Sequence, residues 1–374
     1  MFNTHQLGIK FYKKSELKHI YVSLALRTFA LTLIALFIPL YLHVEQGLSL
    51  NETLGFYLFY SVIIALATPL AAKFASKFGV KHTILLSMPF YLIFVALLSA
   101  FPYYHFSLLF PAGFAGLAIA FYWIGMHILF HHVSDKKHRG EECGKRRAFM
   151  VLGALLGPVI GGLLISYTSF KILFLFAGII LFLSGGILLL NKENHVKYGF
   201  SMRRIIDKDQ WKNSIFFASR GTGVIAEGVI WPLFIFVILG DYITLGIVGS
   251  ALSLFNALAA WVTGKYSDHS NKRTIIRGSS IFNSLSWFLK AFVTTPFHVF
   301  GVTILGAIAE GVWIAPASAM EYDKAKGDIV GYFVSREIFI CLGRIFMLIF
   351  VMMLGSLKGG LILQGFVSFA SFLF

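Results

Sequence analysis

Charged residues are scarce in this chain. Asp, Glu, Lys and Arg make up only 13% of its 374 residues, whereas soluble domains contain about 25%. Hydrophobic residues make up 57%, and the mean hydropathy is +0.79. This shortage of charge excludes an ordinary soluble domain and predicts an integral membrane protein.

Cysteine and the common catalytic motifs are also lacking. The two cysteines, Cys143 in a basic segment and Cys341 in an apolar one, do not form a disulfide framework. The sequence contains no Walker loop and no zinc-binding spacing. Residues 221–226 match a dinucleotide-binding pattern only by letter, because they lie inside an apolar run with no preceding strand. We therefore expect no cofactor, no metal site and no direct use of ATP.

Acidic residues are outnumbered, with 17 Asp and Glu against 32 Lys and Arg, which gives a formal net charge of +15. The basic residues fall in alternate loops between apolar runs: the N-terminus, 73–81, 133–147, 191–212 and 265–277. The turns near 44–51, 102–105 and 240–241 contain no Lys or Arg. This alternation is the positive-inside pattern. It argues against nucleic-acid binding and predicts a cell-membrane protein with both termini in the cytoplasm.

Twelve apolar segments approach the roughly 20 residues that a membrane-spanning helix needs. They lie near 19–43, 52–75, 82–101, 106–132, 147–168, 171–190, 213–239, 242–266, 274–295, 297–320, 331–355 and 358–374. We predict an all-α membrane protein with an N-terminal six-helix bundle (1–190), a cytoplasmic linker (191–212) and a C-terminal six-helix bundle (213–374). Because the last segment has no polar tail, we expect a clipped chain or an unusually short end.

The two halves of the chain repeat each other. Arg27 and Pro39 lie twelve residues apart in the first predicted helix, and Arg220 and Pro232 lie twelve apart in the seventh, an offset of 193 positions. Six predicted helices separate the partners, so each pair lies on the same side of the membrane. Parallel repeats related by an axis along the membrane normal are an architecture of secondary transporters.

Three segments carry a resemblance to the major facilitator superfamily. Residues 264–273 contain a glycine, three residues, an aspartate and a basic cluster, which is similar to the signature between helices two and three of each half. The first-half copy, 72–81, has Ala72 and Ser76 in place of the glycine and the aspartate. Residues 153–162 resemble the glycine–proline motif that is commonest in antiporters. The resemblance implies two bundles that rock about a central cavity lined by helices one, four, seven and ten.

The resemblance also implies a cytoplasmic gate. Asp268, at the inner end of predicted helix eight, would face the start of helix five and form a latch. Its expected partners are Lys145, Arg146 and Arg147, and the same motif contributes Gly264 and Arg273. The alternative is a solvated aspartate that contributes under ~1 kcal/mol.

A small-residue face is predicted on helix five. Glycines four apart let helices approach closely, and a proline bends the helix. The residues are Gly153, Gly157, Pro158, Gly161 and Gly162. They form either a packing face, as in any polytopic protein, or an element specific to transport.

Charged residues within the helices are the main functional candidates, because each costs roughly 2.5–3.5 kcal/mol at a helix centre. Arg27 lies about 12 Å from the cytoplasmic start of its helix, and Arg220 lies at the same depth. Three interpretations remain open. The arginines snorkel to the headgroups, they are shared gate or scaffold elements, or they bind an anionic substrate through planar, bidentate contacts.

Carboxyl groups are the candidates for ion coupling. Glu227 shares a helix face with Arg220. The residue that corresponds to Glu227 in the first half of the chain is Ile34. Glu310 and Arg344 lie in the middle of predicted helices ten and eleven. A carboxyl removed from water binds a proton more readily than in solution, so Glu227 and Glu310 are the predicted sites for a proton, or for sodium. A structural ion pair between Glu310 and Arg344 is the alternative.

Aromatic residues would line the cavity: Tyr122, Trp123, Trp231 and Trp313. His127 is either a packed side chain or a coupling residue. The helix-four arginine that the superfamily links with proton antiport is not evident, since Ala112 and Gly113 occupy that neighbourhood; this argues against a drug–proton antiporter.

We predict a monomeric secondary transporter that moves a small organic solute by proton-coupled export. One alternative is an exchanger of organic or phosphorylated anions that uses Arg27 and Arg220. A second is a non-transporting receptor, scaffold or lipid scramblase. An intramembrane enzyme is disfavoured by the lack of a nucleophile–base pair.

Overall fold

A computed structural model describes residues 4–104, 106–133, 139–189, 211–267, 271–325 and 329–374. These residues form twelve helical rods and contain no strand. Nine rods are continuous: α2 (Leu50–Phe78), α3 (Val80–Ala100), α4 (Leu109–Val133), α5 (Arg139–Tyr167), α6 (Phe170–Leu189), α8 (Tyr242–Ser267), α9 (Lys272–Lys290), α10 (Pro296–Lys324) and α11 (Ile329–Leu354). Three are composite: α1 (Thr4–Ala35, Ile38–Leu40 and Tyr41–Glu45), α7 (Trp211–Ile225, Ala226–Ile230 and Trp231–Leu239) and α12 (Leu357–Val367 and Ser368–Leu373).

The order of the rods agrees with the twelve predicted spans. In the described residues, ten helices are long and apolar enough to cross a membrane. The two others are α9, which carries Lys272 and Arg273 in its first turn and Lys290 in its last, and α12, whose apolar helix Leu357–Leu373 is shorter. Two rods begin well before their predicted starts: α1 begins at Thr4 rather than near residue 19, and α5 at Arg139 rather than near residue 147. Hydropathy detects where a helix enters lipid, whereas the backbone hydrogen bonds of a helix continue into its polar extension.

Local signals explain where the helices begin and turn. The Ser49 side chain accepts a bond from the Glu52 N–H (3.2 Å), and the Glu52 carboxylate accepts one from the Ser49 N–H (2.8 Å), so a capping box starts α2. Gly79 has a φ of +97° and joins α2 to α3 in a single residue, a conformation that glycine adopts easily. The two repeated prolines each lie beside a π turn, Tyr41–Glu45 after Pro39 and Ala226–Ile230 before Pro232.

The packing of the rods is pseudo-symmetric. Contacts of α1 with α5, α2 with α4, and α3 with α4 recur six helices later as α7 with α11, α8 with α10, and α9 with α10. The contacts between the two halves also form an equivalent pair, α5 with α8 and α2 with α11. The fold therefore consists of two six-helix bundles. Most of the predicted linker, residues 191–210 of 191–212, lies outside the described residues. We call the side of the membrane where α1 begins the inner side and the opposite side the outer side.

Glycines create the same close approach in both bundles. A Cβ on Gly153 of α5 would lie within 3.0 Å of the carbonyl oxygen of Ala25, and a Cβ on Gly343 of α11 would lie equally close to that of Ala218. Ala25 and Ala218 are separated by the same 193 positions as the two arginine–proline pairs. Only glycine lets these helix pairs approach so closely. The sequence repeat therefore corresponds to a repeated helix–helix contact in the two bundles.

The predicted small-residue face of α5 contacts both bundles. Gly153, Gly157 and Gly161 face α1 of the same bundle, whereas Gly162 faces the Tyr242 carbonyl of α8. The contact is mutual, because Gly246 of α8 faces the carbonyl oxygen of Pro158. A Cβ at any of these glycines would lie within 3.0 Å of its neighbour. The face therefore packs α5 against α1 on one side and against α8 on the other.

We predict that Gly162→Ala lowers the thermal unfolding temperature of the purified protein. Its methyl group would push α5 from α8, and overpacking costs about 1–3 kcal/mol. Gly186→Ala in α6 is the matched control, because a Cβ there meets nothing within 4 Å. Equal unfolding temperatures for the two variants would show that the α5–α8 contact tolerates a methyl group.

Candidate functional site

Arg27 is buried inside the N-terminal bundle between α1, α3 and α4. Its guanidinium carbon lies 3.2 Å from the centre of the Tyr122 ring and 4.7 Å from the centre of the Tyr91 ring. The residue is 2% exposed, and its Nε and Nη2 groups have no hydrogen-bond partner. Rather than extending towards the headgroups, the side chain turns into the bundle. The two rings stabilise the cation, while N–H donors remain available for an acceptor.

Arg344 lies in the middle of α11 and faces α2 of the other bundle. It is 9% exposed, and its Nε and Nη1 groups have no hydrogen-bond partner. Its guanidinium carbon lies 6.0 Å from the centre of the Tyr60 ring. The predicted partner, Glu310, accepts a hydrogen bond from Asn256 of α8 (3.1 Å) instead. The ion pair suggested between Glu310 and Arg344 is not among the described contacts and stays a prediction.

Tyrosines connect the two arginines across the seam between the bundles. Tyr91 interacts electrostatically with both Arg27 and Arg344, and Tyr60 interacts with Arg344 and Tyr91. We call Arg27, Arg344, Tyr60, Tyr91 and Tyr122 the arginine–tyrosine site. In the described part of the chain, neither guanidinium is paired with a carboxylate, so the site offers unpaired cationic donors from both bundles.

Arg220, the repeat partner of Arg27, has a different environment. Glu321 of α10 forms an ion pair with Arg220 and a second one with Nε of Arg336 on α11 (2.9 Å). Arg336 is also paired with its neighbour Glu337. Glu321, Arg336 and Glu337 are all buried. Because Glu321 already neutralises its charge, Arg220 belongs to a structural ion network, and the two repeated arginines do not form a pair.

Glu227 also has a partner that the sequence interpretation missed. The π turn of α7 presents Glu227 to the end of α9, where its Oε2 lies 2.7 Å from Nζ of Lys290. The Lys290 ammonium lies 3.8 Å from the centre of the Trp287 ring and 5.0 Å from that of Trp231, and Lys290 is 2% exposed. Oε1 of Glu227 has no hydrogen-bond partner. Glu227 is thus the half-buried partner of a fully buried lysine.

The predicted aromatic residues each lie against a charged or ionisable group. Tyr122 lies under Arg27 and Trp231 near Lys290, as described above. Trp313 lies 5.6 Å from the guanidinium carbon of Arg220. Trp123 stacks on His127, with ring centres 5.6 Å apart. These rings cover cations within the protein, which is the favoured position of an aromatic face next to a positive charge.

The two bundles touch on both the inner and the outer side. On the outer side, the Tyr242 hydroxyl of α8 donates to Oε1 of Glu45 (2.6 Å), and its ring packs against Phe37 of α1. On the inner side, Nδ1 of His127 on α4 lies 3.0 Å from the hydroxyl of Tyr322 on α10. His127, which the sequence leaves as either a packed side chain or a coupling residue, lies in this inner contact.

Most of the predicted gate lies outside the described part of the chain. This applies to Asp268 and to the side chains of Lys145, Arg146 and Arg147. Gly264 lies near the inner end of α8, and Arg273 lies exposed in the first turn of α9, where its N–H donates to the Asn271 side chain (3.1 Å). The latch between Asp268 and the basic cluster therefore stays a prediction.

Several charged residues of the ion network had a signal in the sequence. Lys290 lies inside predicted helix nine, and adjacent Arg336 and Glu337 lie inside predicted helix eleven. Charges within a membrane helix mark functional or paired positions, so all three were visible candidates. Glu321 was harder to find, because the predicted helix ended at residue 320, whereas α10 continues to Lys324.

Comparison with known proteins agrees with this architecture. The sequence profile of the Major Facilitator Superfamily matches residues 20–334. The chain belongs to the major facilitator superfamily. No curated protein sequence matches the chain. Its structure is similar to the crystal structure of the human organic anion transporter MFSD10 (TETRAN), with a TM-score of 0.71, 12% identity, and coverage of 96% of this chain and 98% of that one.

Membership of the major facilitator superfamily sets the functional class. It points to a multi-pass membrane protein that acts as a secondary transporter of a small molecule, rather than to an enzyme. In such proteins, two bundles move relative to each other around a site near the bilayer midplane. In the arginine–tyrosine site, the first bundle supplies Arg27 and the second supplies Arg344.

The Glu227–Lys290 pair allows a measurement of how much stability is lost when one charge of an ion pair is removed. We predict that Lys290→Met lowers the free energy of unfolding by about 1–3 kcal/mol, because it leaves the half-buried Glu227 carboxylate without its partner. Adding Glu227→Gln should recover much of this loss, since the double variant has no buried charge at this place. Thermal unfolding in detergent measures both effects. Equal stability of the single and double variants would contradict the pairing.

Proposed function

We propose that the protein transports an organic anion by alternating access, and that the anion binds at the arginine–tyrosine site. One observation carries this proposal: Arg27 and Arg344 are buried, come from opposite bundles, and have no carboxylate partner in the described part of the chain. An unpaired buried cation is costly, and an anion that contacts it lowers this cost. Guanidinium groups are well suited to carboxylate or phosphate because their donors are planar and paired.

The geometry assigns different tasks to the arginines that the sequence grouped together. Arg220 is neutralised by Glu321, so Arg344 replaces it as the second anion contact. An anion held by Arg27 and Arg344 would touch both bundles at once. Binding would therefore favour conformations in which the bundles are close, and release would follow when one side opens. This is the relation between substrate and conformation that alternating access requires.

Two further observations support the choice of an anion. The similar human protein is named as an organic anion transporter. The tyrosine rings of the site provide apolar surface beside the cations, which suits the organic part of such a solute. We propose the cell membrane as the location and the inner side as the cytoplasm, because the basic loops lie on that side.

Flux in proteoliposomes tests the anion proposal. We predict uptake of small organic carboxylates or phosphate esters, and not of cationic dyes, by the wild-type protein. Arg27→Gln and Arg344→Gln should each lower kcat/KM by roughly 10- to 100-fold, because a hydrogen bond to a charged group contributes about 1.5–3 kcal/mol. Arg344→Lys should retain part of the activity, since it keeps the charge but loses the bidentate contact.

Arg277→Gln is the matched control, since Arg277 is an exposed arginine of α9. It should transport at the wild-type rate. Flux of cations alone, or full anion flux in both glutamine variants, would overturn the proposal. Absence of any flux across the whole panel would favour the non-transporting scaffold.

Proton-coupled export is the second candidate function, and Glu227 is its proposed coupling residue. The favouring observation is the Glu227–Lys290 pair, in which Lys290 is nearly inaccessible while the Glu227 side chain is 25% exposed. A proton on Glu227 would leave Lys290 as an unpaired buried cation, which is costly. Proton binding would therefore be linked to a rearrangement that gives Lys290 another partner, and such linkage is what coupling needs.

We predict that the double variant Glu227→Gln, Lys290→Met loses substrate flux driven by a pH gradient but keeps exchange of internal for external substrate. The double variant is used because it avoids an unpaired charge. Arg277→Gln again controls for reconstitution. If the double variant still accumulates substrate in response to the pH gradient, Glu227 is not the coupling residue.

A further inference from the structure

A cavity of about 140 Å³ lies at the outer end of the N-terminal bundle, between the end of α1, the turn after α3 and the start of α6. We call it the outer cavity. Three aromatic rings form its apolar part: the centre of the Tyr41 ring lies 5.1 Å from that of Phe170 and 5.0 Å from that of Phe174. Sites for drug-sized ligands measure roughly 300–1,000 Å³, so the outer cavity suits a smaller group.

The outer cavity is separate from the arginine–tyrosine site. Its lining residue Glu45 comes 18 positions after Arg27 on α1, which corresponds to about 27 Å at a rise of 1.5 Å per residue. A ligand in the outer cavity is therefore distinct from the substrate anion proposed above.

Two opposite charges line the outer cavity without pairing with each other. Glu45 of α1 and Lys171 of α6 are both exposed, and neither takes part in an ion pair in the described part of the chain. Oε1 of Glu45 accepts a hydrogen bond from the Tyr242 hydroxyl (2.6 Å), whereas Oε2 receives none among the described contacts. Nζ of Lys171 lies 5.4 Å from the centre of the Tyr103 ring. A carboxylate oxygen and the N–H donors of an ammonium group are therefore available to a ligand.

The polar lining of the outer cavity does not recur in the second bundle. Gly47 and Gly240 lie 193 positions apart and have φ angles of +65° and +76°, so they align the ends of α1 and α7. In this alignment, polar residues of the first bundle correspond to apolar ones of the second: Tyr41, Glu45 and Gln46 to Phe234, Ile238 and Leu239. The duplicated scaffold thus does not require an acid at position 45.

The lysine, in contrast, has a counterpart. Nζ of Lys358, in the first turn of α12, lies 4.4 Å from the centre of the Phe292 ring. A lysine beside an aromatic ring is a common anchor at a membrane interface. Lys171 alone is explained in this way, but its combination with Glu45 in one cavity is not.

The mouth of the outer cavity lies at the edge of the lipid-facing surface. Ile172, Leu175 and Ile179 follow Lys171 on α6 and are exposed apolar residues, which is typical of a surface in contact with lipid. Tyr103, at the mouth, is 65% exposed, and tyrosine is enriched at membrane interfaces. Both a lipid headgroup of the outer leaflet and a solute in the outer water have access to the cavity.

We propose that the outer cavity binds a small zwitterion, with its primary ammonium group at Glu45 and its phosphate or carboxylate group at Lys171. The ammonium group donates to Oε2 of Glu45 and leaves the Tyr242 hydroxyl bonded to Oε1. The methylene groups between the two charges cover the aromatic rings. Hydrogen bonds between ionised groups are shorter and stronger than neutral ones. Two sources offer this chemistry: the headgroup of an ethanolamine phospholipid and a free amino acid.

Lipid retention tests the headgroup. Purified full-length protein is mixed with equal amounts of phosphatidylethanolamine and phosphatidylcholine that have the same acyl chains, and native mass spectrometry measures the ratio of the two complexes. Choline has no N–H donor, so the wild-type protein should retain the ethanolamine lipid about fivefold more strongly, the effect of one exposed charge pair. Glu45→Gln keeps an acceptor for Tyr242 but removes the charge, so its ratio should fall to about one.

The lysine variants provide the matched comparison. Lys171→Gln should lower the retention of both lipids equally, because the phosphate is common to them. This variant replaces an exposed side chain, so it tests the proposal even if Glu45→Gln does not fold. Lys358→Gln removes the corresponding lysine from the bundle that lacks the acid, and it should retain both lipids as the wild type does.

Calorimetric titration of the lipid-free protein with glycine, β-alanine and 4-aminobutyrate tests the second source. Saturable binding that Glu45→Gln abolishes would assign the cavity to a free amino acid. Preference for the ethanolamine lipid without amino-acid binding would assign it to the headgroup.

The proposal is overturned if the wild-type protein shows neither kind of binding. It is also overturned if Glu45→Gln keeps the wild-type binding, or if Lys358→Gln weakens binding as much as Lys171→Gln. None of these measurements uses transport, so their outcome is independent of the anion proposal.

Discussion

The cost of an unpaired charge in the membrane-spanning core is the constraint on which this structure depends. Glu321 avoids this cost by forming ion pairs with both Arg220 and Arg336, and Glu227 avoids it by pairing with Lys290. These contacts tie α7 to α10 and α9, and α10 to α11, so the ion pairs also fix the helices of the C-terminal bundle. Arg27 and Arg344 are the exceptions among the described buried arginines. Their guanidinium N–H groups lack a carboxylate partner, which is why we propose that these two arginines contact the substrate.

The proposed binding site lies where the internal symmetry of the two bundles fails. The approach of Gly153 to Ala25 is repeated by Gly343 and Ala218, so the scaffold keeps the duplication. The two seams between the bundles are equivalent in topology but differ in chemistry. The α5–α8 seam is lined by glycines in close backbone contact, whereas the α2–α11 seam contains Tyr60, Arg344 and Cys341. A tight seam suits a pivot, and a polar seam suits a binding site.

The contacts at the two ends of the bundle interface also differ. The outer contact joins the Tyr242 phenol to the Glu45 carboxylate and surrounds the ring with phenylalanines. The inner contact joins His127 to Tyr322 and Glu337 and continues into the ion network. Because the described contacts close both ends, each direction of opening breaks a different set of bonds.

The sequence by itself determined the membrane class, the twelve helices, the duplication and the superfamily, because hydropathy, loop charge and repeat spacing are local properties of the chain. It also indicated Arg27, Glu227 and Arg344 as candidates, since charges within apolar helices stand out. Only the tertiary structure decided which of these charged side chains have a partner of opposite charge in the described part of the chain. Glu321 lies 101 positions from Arg220, and Lys290 lies 63 positions from Glu227. The composition of one helix does not specify which side chain of another will neutralise it; that depends on how the bundles pack.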